Sequence, residues 1–186
     1  MSAIDRLLAN YSRQVRLPWS ANVSGKQRVW FAVYPPAEER RVRAHLPQFE
    51  SLTLETKHGW TTVDLTRLLP EFLATHKYRE SIFQQPQHLR AGSELELRAA
   101  TLVKEACARE EEADADSVVA VTGLASMFDF MRVSSLIERV EDSVPGRLLI
   151  FFPGEYTGNV YRFMDARDGF NYMAVPITST ESFMNP

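Results

Sequence analysis

The chain has 186 residues, 45% hydrophobic and 24% charged, the balance of one globular domain that buries a core without disulfides or structural metal. Its formal net charge of -3 gives no overall attraction to nucleic acid or to an anionic membrane. Cys107 is the only cysteine, which excludes an internal disulfide and a thiolate metal cluster and points to a reducing compartment, the cytoplasm.

Residues 1–19 carry Ile4, Leu7, Leu8, Tyr11 and Val15 at helical spacing, and Leu17-Pro18-Trp19 ends that helix. The stretch has neither the apolar core nor the cleavage site of a signal peptide. The longest apolar runs, of five or six residues, are far short of a membrane span, so a soluble protein is expected. Arg28-Val-Trp-Phe-Ala-Val-Tyr34 reads as a first strand. Pro35-Pro36 stops it, and Pro36 is placed to open a helix over 37–46. Within that helix, Glu38-Glu39-Arg40-Arg41-Val42-Arg43 interleaves both signs of charge, the pattern of a solvated face.

A polar stretch ending in Lys57-His58-Gly59 leads to a second strand over 60–65, and then to a helix with Leu65, Leu68, Leu69, Phe72 and Leu73 on one face. Residues 78–92 show no regular pattern and read as a flexible loop region. Ser93 and Glu96 have capping-box spacing and open a helix with Leu95, Ala99, Leu102, Val103 and Ala106 inward. Acidic residues from Glu110 to Asp116 form a solvated run. Residues 117–122 form the clearest strand, followed by a loop over 123–129 and a helix carried by Phe130, Val133, Leu136, Ile137 and Val140. Pro145-Gly146 turns into a fourth strand over 147–152. The fifth covers 172–177, with Pro176 tolerated at an edge or terminal position.

Apolar strands alternating with helices predict a single three-layer α/β domain over 1–186. Its sheet is mostly parallel, with about five strands and helices on both faces. In such a sheet ligands collect beyond the carboxyl ends of the strands. The turn after the first strand offers two prolines and two glutamates where a phosphate-binding loop needs glycines and free N–H groups, so a nucleotide-type fold without that loop is expected. Asp64 reads as a helix cap rather than a metal ligand. Gly123-Leu-Ala-Ser126 is not a hydrolase nucleophile elbow. His45, His58, His76 and His88 include no pair at metal-ligand spacing, and Cys107 reads as a small half-buried hydrophobe. No helix carries an uninterrupted basic face, so contact with DNA is expected only through partners.

The richest polar stretch lies between the last two strands: Gly154, Glu155, Tyr156, Asn159, Tyr161, Arg162, Asp165, Arg167 and Asp168. Glu155, Asp165 and Asp168 have the chemistry of a hard-metal site for a nuclease or phosphohydrolase. Arg162 and Arg167 among the acids favour ion pairs instead, and tyrosine with arginine is the composition of an interface hot spot. The nine residues therefore read as an interaction surface or a structural clasp, with no catalytic, metal or cofactor residue assigned.

Phe152-Pro-Gly-Glu-Tyr156, Asn159-Val-Tyr-Arg162, Asp165-Ala-Arg-Asp-Gly169 and Asn171-Tyr172 closely resemble the BrxB family of bacteriophage exclusion (BREX) systems. Arg28-Val-Trp-Phe31, His58-Gly-Trp60, Asp64-Leu-Thr66, Tyr78-Arg-Glu-Ser81 and Thr122-Gly-Leu-Ala-Ser126 are similar to the family pattern in the same order. The resemblance implies a core component of an anti-phage system that also contains a methyltransferase, a large ATPase and a PglZ-like protein of the alkaline-phosphatase family. It implies no catalytic residues and no cofactor. The implied role is an assembly protein that binds the PglZ-like partner.

Overall fold

The computed structural model describes residues 2–20, 23–89, 94–113, 116–164, 166 and 169–179. Its strands are β1 (Val29–Tyr34), β2 (Trp60–Asp64), β3 (Val118–Thr122), β4 (Arg147–Thr157), β5 (Val160–Phe163) and β6 (Val175–Thr178). β2, β3, β4, β1 and β6 lie side by side in that order and run parallel, while β5 returns antiparallel along the far end of β4. The expected three-layer α/β arrangement is therefore present, and β5 is a sixth strand that the pattern of apolar runs does not reveal.

Because both faces of a parallel sheet are covered, its central strands are buried at every residue. β1 and β3 are buried throughout, as is β4 from Arg147 to Gly154. Successive side chains divide between two cores, Trp30, Ala32 and Tyr34 in one and Val29, Phe31 and Val33 in the other. The first core is roofed by α1 (Ala3–Val15), α2 (Glu39–Ala44) and α3 (Leu46–Glu55), whose buried members include Tyr11, Val42 and Phe49. The second is roofed by α4 (Leu68–Thr75), α6 (Glu94–Ala113) and α7 (Val133–Val140), with α5 (Arg79–Gln84) beside α4.

Several local expectations change. The helix expected over 37–46 is divided into a single turn, Pro36–Glu38, and α2. The polar stretch after it is largely α3. That helix buries only Phe49 and Thr53, too few apolar positions for periodicity to register. Thr53 compensates for its polarity by donating to the Phe49 carbonyl at 2.8 Å and meeting the Tyr11 hydroxyl at 2.5 Å. Within 78–92, α5 and a turn at Pro86–His88 replace the expected loop, and residues 90–92 lie outside the described residues. Leu102 is 37% exposed rather than inward, whereas Cys107 is fully buried. Ser93, the expected cap of α6, lies outside the described residues. Phe130 precedes α7. The last strand begins at Val175, because Tyr172 and Ala174 turn into the second core; Pro176 sits in β6 at the sheet edge, as its missing N–H requires.

Candidate interaction surface at the carboxyl ends of the strands

Two structures occupy the carboxyl edge of the sheet, where an α/β fold usually holds a ligand. Past β1 and β2 the space is closed by the chain's own polar groups. Arg43 on α2 donates to the Asp64 carboxylate at 2.8 Å and to the Thr66 hydroxyl at 2.7 Å. The Thr66 hydroxyl and backbone N–H both donate to the other Asp64 oxygen, at 2.5 and 2.9 Å. Tyr34 at the end of β1 donates to Glu39 at 2.6 Å. Burial alone would raise the Asp64 pKa, but the Thr66 and Arg43 hydrogen bonds outweigh it and hold the carboxyl below its usual range. Asp64 therefore fixes a turn through Thr66 rather than capping α4, whose first turn has Arg67 at the cap position without a side-chain bond. Gly123 completes the closure. It sits at φ 78°, and a Cβ there would lie 2.5 Å from the Thr66 nitrogen.

Past β4 the chain instead builds outward. Val29 to Tyr34 pair with Leu148 to Pro153, and from Gly154 onward β4 pairs with β5: Gly154 with Phe163, Glu155 with Arg162, Tyr156 with Tyr161 and Thr157 with Val160. Gly158 and Asn159 both have positive φ, 57° and 63°, the two-residue turn whose twist suits an antiparallel hairpin. Phe170 adds a bridge to the free side of β5, exchanging both backbone hydrogen bonds with Tyr161 at 2.8 Å. Gly154 is where the strand leaves the parallel sheet. A Cβ there would stand 2.1 Å from the Arg162 carbonyl oxygen and 2.8 Å from the Phe152 ring.

The hairpin is anchored by aromatic packing. Tyr161 is fully buried and its ring lies 4.5 Å from Phe31 and 4.6 Å from Tyr156, centre to centre. Its hydroxyl donates to the Ala174 carbonyl at 3.0 Å, and burial pushes its pKa well above the usual tyrosine value. Tyr172 donates to Glu141, which ties the following segment to the end of α7. Of the residues singled out in the sequence, Gly154 and Tyr161 thus form the inner framework. Glu155, Asn159 and Arg162 are exposed, and half-buried Tyr156 donates to Asn159 at 2.9 Å. No described ion pair involves Glu155 or Arg162. Asp165, Arg167 and Asp168 lie outside the described residues, so of the three carboxylates in the metal reading only Glu155 is placed. No cluster of three or more His, Cys, Asp or Glu suited to a metal occurs among the described residues.

Beside the hairpin a cleft of about 1170 Å³ is lined by Phe163, Phe170, Phe128, Arg132 and the first turn of α7, with the Phe128 and Phe163 rings 5.7 Å apart, centre to centre. Its wall contains Glu96, whose buried carboxylate accepts from Arg139 at 2.9 Å. Residues 43 positions apart leave no local spacing signal, so this pair is not legible in the sequence. The hairpin, by contrast, has such a signal in Gly158-Asn159 between Tyr156-Thr157 and Val160-Tyr161.

No described helix is long and apolar enough to cross a membrane. No curated protein and no solved structure matches the chain significantly. A family model described as "BREX protein BrxB" matches residues 61–177, more than half of the chain and all of the hairpin. With the motif Phe152-Pro-Gly-Glu-Tyr156 placed where β4 leaves the parallel sheet, the chain belongs to the BrxB family of BREX proteins.

Proposed function

We propose that this component of a BREX defence system is a non-catalytic assembly protein that binds the PglZ-like subunit through its β4–β5 hairpin. It would connect that subunit with other members of the complex, such as the ATPase or the methyltransferase. The observation that carries the reading is the hairpin itself. Glu155, Tyr156, Asn159 and Arg162 stand on a base held by Tyr161 and Gly154, so a partner meets a preorganised surface and little ordering cost opposes binding. The network around Asp64 also favours assembly over chemistry, since the polar side chains past β2, Asp64 and Thr66, are already bonded to Arg43 and to each other.

Size-exclusion chromatography with light scattering, run on this chain alone and with the PglZ-like protein of its own operon, tests the reading. A co-eluting complex that is lost on Arg162→Glu is the expected result. Separate elution of the wild-type proteins would remove the PglZ-like subunit as the direct partner.

A further inference from the structure

The two edges of the sheet are finished differently. At β6 the register turns the backbone groups of Pro176 and Thr178 outward, since Ser179 N–H bonds inward to Val33. Pro176 has no N–H to offer, and the Thr178 carbonyl accepts from Asn10 of α1 at 2.8 Å. That edge is blunted against further strands. At β2, Val118 N–H bonds to the Gly59 carbonyl and Leu65 N–H to the Thr122 carbonyl. This phase turns the N–H and C=O of Trp60, Thr62 and Asp64 away from β3, and no described strand pairs with them. Thr62 and Asp64 are exposed. The edge has no proline and no lysine, and its one charge, Asp64, is paired at 2.8 Å with Arg43, which also reaches Glu39 at 4.0 Å. Among the described residues no strand, proline or lysine guards this edge.

We infer that β2 pairs antiparallel with β2 of a second copy of this chain about a two-fold axis at Thr62. The register follows from the phase of the ladder. Thr62 faces Thr62 of the second copy and Trp60 faces its Asp64, so every outward-turned donor in both strands meets an outward-turned acceptor. Thr62 side chains meet as a cross-strand threonine pair, a favourable combination. Each Trp60 ring lies beside the Asp64 carboxylate of the other copy, which stays paired with its own Arg43. The blunted β6 edge leaves no second site for strand addition at the far side of the five parallel strands, so pairing through β2 closes as a dimer rather than growing into a fibre. This surface is separate from the hairpin, so either one can fail without the other.

Light scattering on the full chain over a concentration series should give twice the monomer mass. Thr62→Lys places two like charges across the axis and should return the monomer with an unchanged circular dichroism spectrum. Thr62→Cys should cross-link two chains under mild oxidation, because a hydrogen-bonded antiparallel pair lies within disulfide reach. Thr61→Cys, one position out of phase, should not, and buried Cys107 stays silent in both. A wild type that is monomeric at every concentration would overturn the inference, as would a dimer indifferent to Thr62→Lys or equal cross-linking by the two cysteine variants. A monomer whose Thr62→Lys form loses a BREX partner would also overturn it and assign the edge to that partner's strand.

Discussion

Beyond β2, Asp64 and Thr66 are tied to Arg43 and to each other within 2.9 Å, whereas beyond β4 the chain runs on into a hairpin that presents Glu155 and Arg162 to solvent. Both regions are polar and both follow a parallel strand. They differ in where hydrogen-bonding capacity is spent. In the first it is used within the chain, and the result is a fastened turn. In the second the backbone is satisfied by strand pairing and the aromatic side chains by the core, while Glu155 and Arg162 are exposed and enter no described ion pair. A cluster of charged residues in a sequence therefore means little until the partners of each charge are known.

The contrast can be broken most severely at Tyr161. Tyr161→Ala removes the ring that joins the hairpin to Phe31 and Phe152, and should cost about 4 kcal/mol in urea unfolding, as buried aromatic truncations do. Tyr161→Phe should cost only about 1 kcal/mol, from the Ala174 carbonyl losing its donor. Gly154→Ala comes next, at about 2 kcal/mol, since its Cβ would collide with the backbone oxygen of Arg162. Both hairpin-core variants should weaken partner binding as well as folding.

At the closed end, Arg43→Ala should lose about 1 kcal/mol or less, because Arg43 and Asp64 are partly exposed and solvent screens them. The pH dependence has a definite sign. The folded Asp64 pKa is depressed, so its contribution is present above the ordinary carboxylate pKa and fades as pH falls through the lower folded value. Arg43→Ala should flatten that acid limb of the stability profile, and an unchanged limb would show that Asp64 is held by Thr66 alone. The smallest stability effect belongs to Arg162→Glu, within about 0.5 kcal/mol for an exposed residue, although its effect on partner binding should be large.

Much of this was legible from residue pattern. The apolar runs mark β1, β3 and the first part of β4 because a doubly covered sheet buries every residue of a central strand. Pro176 correctly marks an edge. The hairpin was hidden because β5 has only four residues and alternates exposed with buried, so it reads as a polar loop unless Gly158-Asn159 is taken as its turn. α3 was hidden because its core contribution is one phenylalanine and one threonine. The Arg43–Asp64 and Glu96–Arg139 pairs could not be read at all, since tertiary folding alone brings such distant positions together.

The most direct test of the hairpin's role is titration calorimetry of the PglZ-like protein with the wild-type chain, Arg162→Glu and Glu155→Arg, each first shown to keep its unfolding midpoint. Saturable binding by the wild type and its loss in both reversals is the expected result. Wild-type affinity in both folded variants would contradict it and move the contact elsewhere on the molecule.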